Sequence, residues 1–168
     1  MPVNAVRPFG RALRENGKTV DYVVALWVPK NKKSVWGKAW EENGQLKALF
    51  FHDNVVKTNE HPDIKARGYF IVTYNGTVED NGFRISWELA KQVDGGTVVY
   101  SGENRYVAAV YSDPHTNSEY LGNSLWDQRS IEFVHSGRDT ADVVDNGNDN
   151  TFERYVYLLT KQRCNCQC

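Results

Sequence analysis

The stretch from Tyr22 to Trp40 reads YVVALWVPKNKKSVWGKAW, and a loosened copy runs from Tyr106 to Trp126 as YVAAVYSDPHTNSEYLGNSLW. Each begins with a Tyr-Val strand, crosses a proline-bearing loop, and reaches a Gly shortly before a Trp. The chain keeps step beyond these segments. "FFHDN" from Phe50 is answered by "FVHSG" from Phe133, and "RGYFIVTY" from Arg67 by "ERYVYLLT" from Glu153. Tyr106 follows Tyr22 by 84 residues, Gly122 follows Gly37 by 85, His135 follows His52 by 83, and Tyr155 follows Tyr69 by 86. A near-constant offset across separate landmarks marks an internal repeat, and short repeats of this kind close on a shared core. We therefore read one domain over 1–168, with a first repeat at about 1–80, a second at about 81–162, and a Cys-containing tail at 163–168.

The local patterns are those of strands. In KTVDYVVALWV, Val20, Tyr22, Val24, Leu26 and Val28 share one side, as a half-buried strand requires. In NGQLKALFF, Leu46, Ala48 and Phe50 do the same. Asn-Gly occurs at 16–17, 43–44, 75–76 and 81–82. Both residues accept positive φ, so each pair is expected to turn a β-hairpin. The phrase FGRALRENGK at Phe9–Lys18 and its echo WGKAWEENGQ at Trp36–Gln45 are then strands that end in such turns. Helix signals are nearly absent. The polar run SGRDTADVVDNGNDN, residues 136–150, reads as a long mobile loop. The expected fold is all-β: an antiparallel β-sandwich or prism-like domain of two pseudo-symmetric tandem repeats.

A chain of 168 residues with a formal net charge of -1 suits one compact domain and lacks the basic footprint of a nucleic-acid binder. No apolar run is long enough for a membrane span, and "MPVNAVRPFG" carries no secretion signal. The cysteines are confined to Cys164, Cys166 and Cys168, so the body of the fold needs no disulfide, which favours the cytoplasm or release without a signal peptide. The tail is expected to be frayed and redox-sensitive, and it is too short of ligands to hold zinc alone. His52 and His135 occupy matching places and read as hairpin histidines bonded to nearby carbonyls. His115 falls in a turn, and Arg129 and Glu132 form a surface charge pair. With no Gly-x-Ser-x-Gly elbow, His-Glu-x-x-His helix or phosphate loop, neither enzymatic activity nor a cofactor or metal is expected.

In order, PVNAVRPFGR, DYVVAL, WGKAW and RGYFIVTY resemble the elements of the DM-nine repeat, and GENRYVAAV, LGNSL and FERYVYLL resemble it again. The resemblance implies a two-repeat β-sandwich related to the N-terminal module of natterin-type toxins, with stand-alone members that bind mannose-type glycans. By the family pattern, the Lys of a Gly-Lys pair and a carboxylate before the Tyr-Val strand carry the sugar, which points to Lys38 and Glu15. The chain departs from that pattern in its second half. Asn123 replaces the lysine there, no acid clearly replaces Glu15, and Glu103 lies too near its strand.

A lysine and a carboxylate that converge can hold neighbouring sugar hydroxyls, one donating and the other accepting. Trp36 and Trp40 share the Lys38 side of the strand by alternation, so a ring could cover a pyranose face. The expectation is a lectin with its main site at Glu15, Lys38, Trp36 and Trp40, and a divergent site at Asn123 and Trp126. A possible homodimer would add avidity. The other reading of the same residues makes the tryptophans core and the domain a protein-protein interaction module with no sugar binding, offering an edge strand or aromatic patch to a partner.

Overall fold

A computed structural model describes residues 1–30, 33–94, 97–101, 105–135, 137–147 and 150–163. Glu103 and the tail cysteines Cys164, Cys166 and Cys168 lie outside the described residues. In chain order the strands are β1 (Leu13–Glu15), β2 (Lys18–Val20), β3 (Val23–Trp27), β4 (Val35–Glu42), β5 (Gln45–His52), β6 (Val55–Thr58) and β7 (Phe70–Ile71). There follow β8 (Phe83–Leu89), β9 (Tyr100–Ser101), β10 (Tyr106–Asp113), β11 (Ser118–Leu125), β12 (Ser130–Val134), β13 (Ala141–Val144) and β14 (Val156–Arg163). Short helices α1 (Pro62–Arg67), α2 (Val78–Asn81) and α3 (Thr151–Tyr155) interrupt them.

The architecture is the all-β sandwich that the alternation predicts. One sheet runs β6-β5-β4-β3-β7, the other β13-β12-β11-β10-β14-β8 with β9 added beside β10, and every pairing is antiparallel. The hairpin β1–β2 stands apart and packs on β11. Strand β4 packs on β11 and β5 on β12 across the sandwich. The first five strands of each sheet follow one order, and α1 and α3 stand at the same point in it, just before β7 and β14.

Two Asn-Gly pairs make the expected hairpins. Asn16 and Gly17 (φ 51° and 76°) join β1 to β2, and Asn43 and Gly44 (φ 53° and 74°) join β4 to β5. The other two do different work. Asn75-Gly76 leads into α2, where Thr77 and Asp80 form a capping box, and Asn81-Gly82 closes that helix with Gly82 in the left-handed region. The capping residues lie only three apart, so a four-residue helix forms where a turn pair suggests a hairpin. The polar run expected as a loop contains the edge strand β13, which pairs with β12 from Ala141↔Val134 to Val144↔Ile131.

KTVDYVVALWV is broken at Asp21-Tyr22 into β2 and β3, and β3 is buried on both faces. Val24 joins the core between the sheets, whereas Val23, Ala25 and Trp27 join a second cluster with Phe50 and Ile64 of α1. A helix laid on the outer face explains why simple alternation understates the burial. Gly37 pairs with Phe50 in one sheet and Gly122 with Phe133 in the other. A Cβ on Gly37 would sit 2.4 Å from both the Leu49 carbonyl oxygen and the Phe50 ring, and one on Gly122 2.2 Å from the Glu132 carbonyl oxygen. Each glycine is there because the neighbouring strand leaves no space for a methyl group.

Candidate functional site

The fold brings Glu15 and Lys38 together, as their pairing in the sequence reading requires. Hairpin β1–β2 delivers the carboxylate and β4 the lysine, with Nζ 3.3 Å from Glu15 Oε2. The Tyr22 hydroxyl donates to the same oxygen at 2.7 Å, and the ammonium lies 4.4 Å from the centre of the Tyr22 ring. Lys38 Nζ also donates to the Val134 carbonyl at 2.8 Å. Both charged side chains are only 1% exposed. Burial pushes the Lys38 pKa down, while the charge of Glu15 and its hydrogen bond oppose that shift. A lysine walled in on all sides has no face to offer a sugar hydroxyl, so the pair acts as an internal tie between the hairpin, β4 and β12.

The tryptophans follow the same logic. Trp36 is buried, and its indole N–H donates to the Tyr106 carbonyl at 2.9 Å. Trp40 is half-buried, with its ring edge-on to Tyr22 at 5.7 Å. Asn123 is buried too, and its Oδ1 accepts the backbone N–H of Trp36 at 3.2 Å. It also lines a polar hollow of about 260 Å³ with His52, Tyr106 and Glu132. There burial lowers the pKa of His52 and raises that of Glu132, so both lean towards their neutral forms. Trp126 does not line that hollow. It sits half-buried on a short 3-10 turn under the Arg129 guanidinium, 4.7 Å from the ring centre.

The charge and histidine readings change partners. Arg129 pairs with Glu153 at 3.2 Å rather than with Glu132. His52 meets Asp53 at 3.2 Å and His135 meets Asp142 at 2.5 Å, so each has a carboxylate within reach. Among the described residues no group of three or more His, Cys, Asp or Glu could hold a metal ion. No helix among them is long and apolar enough to cross a membrane.

A second concavity lies elsewhere, where sequence reasoning placed nothing. A groove of about 600 Å³ runs between the N-terminal segment and β8. Its walls carry Val6, Arg7 and Phe9 on one side and Tyr74, Ile85 and Trp87 on the other. Trp87 Nε1 donates to the Arg7 carbonyl at 3.2 Å, and the Tyr74 hydroxyl donates to the Phe83 carbonyl. Phe9 is held with φ 53° and packs against Trp87 at 5.9 Å and edge-on to Tyr157 at 5.1 Å. The Arg7 guanidinium is held on Asp21 through bonds of 2.8 and 3.1 Å, which raise its pKa. Strand β8 is the last of its sheet, so its outer edge has no strand beside it among the described residues. The groove therefore combines apolar rings, one fixed cation and a strand edge. The aromatic content of PVNAVRPFGR and FRISWEL is visible in the sequence, but their meeting across 80 residues is not.

No curated protein matches this chain. Among solved structures it is similar to the nematode sperm cell motility protein MFP2B, at 20% identity and a TM-score of 0.77, over 100% of this chain and 45% of that one. The chain thus spans about half the length of that structure, and the likeness at this identity speaks for the fold. A family model described as "MFP2b: Cytosolic motility protein" matches residues 1–152. These findings overturn the resemblance to the DM-nine repeat and to natterin-type modules, and the expectation of a mannose-binding lectin that rested on it goes with it. The short degenerate motifs that suggested that family are strand and turn signals that many β-sandwiches share. The match runs over nearly the whole chain, and the chain belongs to the MFP2b family of cytosolic motility proteins.

Proposed function

We propose that this domain is a protein-interaction module of a cytosolic motility assembly, and that the groove between the N-terminal segment and β8 receives an extended segment of a protein partner. The observation that carries this reading is the edge of β8, with no strand beside it among the described residues, next to an apolar groove in a member of a motility family. An added strand would gain main-chain hydrogen bonds along such an edge, while Phe9, Tyr74, Ile85 and Trp87 would accept its side chains. Aromatic anchors in a concave site are what dominate protein interfaces. The 12% aromatic content has a use here that no sugar is needed to explain. The common strand order of the two sheets supports two repeats, at about 1–80 and 81–162, as the origin of the scaffold.

The test is capture from the cytosol of the cells that express the protein, run in parallel for the native chain, Ile85→Lys and Trp87→Ala. Components of the motility machinery are expected on the native protein and depleted about tenfold or more on both variants, a loss typical of an anchor residue. Equal capture by all three would remove the groove from the reading. Failure of the native chain to retain any motility component would remove the interaction role itself.

A further inference from the structure

The two sheets differ at one edge. Strand β14 is flanked by β10 on one side and by β8 on the other, from Tyr157↔Leu89 to Arg163↔Phe83. Its counterpart is β7 with the residues that follow, and the inner hydrogen bonds correspond one to one. Val6 N–H donates to the Val72 carbonyl at 2.8 Å as Val99 N–H donates to that of Leu159 at 3.0 Å. Tyr74 N–H donates to the Asn4 carbonyl as Lys161 N–H donates to that of Thr97. The bridges Ala5↔Thr73 and Val98↔Thr160 sit at the same step. In the second sheet Leu158, Leu159 and Thr160 are wholly buried, whereas Ile71 and Val72 are half-buried and Thr73 is exposed. No strand among the described residues occupies the lane beside β7 that β8 fills beside β14.

The geometry of that lane selects its occupant. Val72 spends its N–H on the Val24 carbonyl and its own carbonyl on Val6 N–H, so the N–H and C=O groups of Ile71 and Thr73 point outward. We propose that the lane is filled by the same edge of a second copy of this chain, antiparallel about a twofold axis at Val72. Ile71 of each copy then faces Thr73 of the other in a hydrogen-bonded pair, and Phe70 faces Tyr74. Phe70 is 61% exposed in the single chain and gains an aromatic partner in the pair. Phe70 to Tyr74 reads FIVTY, with no charge and no proline to block edge pairing. The flanks are complementary. α1 ends in Lys65 and Arg67 just before the edge, and α2 begins with Glu79 and Asp80 just after it. Antiparallel pairing lays the basic end of each copy along the acidic end of the other, whereas parallel pairing would set like charges together. The interface is isologous, as twofold dimers are.

Light scattering and sedimentation over a concentration series test this directly. The native chain is expected to pass from one to two chains per particle as concentration rises. Thr73→Pro removes an outward N–H without touching the inner ladder, and Phe70→Lys places a charge on the exposed edge. Each is expected to raise the dissociation constant by about tenfold or more, with circular dichroism confirming that each stays folded. Arg67→Glu weakens pairing, and adding Glu79→Arg restores it. Val143→Lys, on the exposed edge strand β13 of the other sheet, leaves the dimer intact, which assigns the pairing to the β7 edge. A native chain that stays monomeric up to millimolar concentration overturns the proposal. So does a dimer that Thr73→Pro and Phe70→Lys both leave unchanged.

Discussion

Lys38→Met is expected to cost about 3–5 kcal/mol of folding stability, because it removes the ammonium that lies 3.3 Å from the buried Glu15 carboxylate. The Val134 carbonyl loses its donor in the same step. Denaturant unfolding followed by tryptophan fluorescence reads the loss as a lower midpoint at unchanged slope. The pairing itself is isolated by a cycle with Glu15→Leu. The double variant Lys38→Met/Glu15→Leu removes both charges and is expected to be more stable than the sum of the single losses, by roughly 0.5–3 kcal/mol. The double variant also removes the bond from the Tyr22 hydroxyl to Glu15 Oε2. Additive single losses would mean that the ammonium and carboxylate are held independently, against the 3.3 Å contact.

Gly122→Ala is the second large loss, of about 1–3 kcal/mol at least, as overpacking in a closed core usually costs. The new methyl meets the Glu132 carbonyl oxygen at 2.2 Å and Phe133 Cβ at 2.8 Å, and neither is the free end of a flexible side chain. Strands β11 and β12 must part locally, and Asn123, the next residue, moves with its strand. Faster hydrogen exchange at the Trp36 amide, whose acceptor is Asn123 Oδ1, is therefore expected together with the stability loss. Gly37→Ala should behave alike, since its methyl meets the Leu49 carbonyl oxygen and the Phe50 ring. Unchanged stability in both variants would show that the cross-strand spacing relaxes freely at these positions.

Much of the fold could be read from the chain, and the reasons are local. Alternation around Tyr22–Trp27 and Leu46–Phe50 placed strands, and Asn16-Gly17 and Asn43-Gly44 placed hairpins, because strand pleat and turn geometry are set by neighbouring residues. The pairing of Glu15 with Lys38 comes only from the resemblance to the DM-nine repeat, and the burial of the two is not legible in the sequence. Burial here depends on Val134 and Asn123, about a hundred residues away, closing over the strand. The same limit hid the groove, whose walls come from Phe9 and Trp87. The Asn-Gly pairs at 75 and 81 misled because Thr77 and Asp80 between them prefer a capped helical turn. Family resemblance went astray for a related reason. It rested on Gly-Lys and Tyr-Val pieces that serve packing in this fold and carry no signature of a ligand.

The polar ties between the layers have a mechanical consequence. Apolar faces can slip past one another at small cost, since one oily contact replaces another. Lys38 on the Val134 carbonyl and Asn123 on the Trp36 amide cannot, because a shift of one residue strands a buried ammonium and a buried amide. The two layers are thus keyed against shear along the strand direction. A displacement of one layer along the strands must therefore break these bonds or carry the other layer with it.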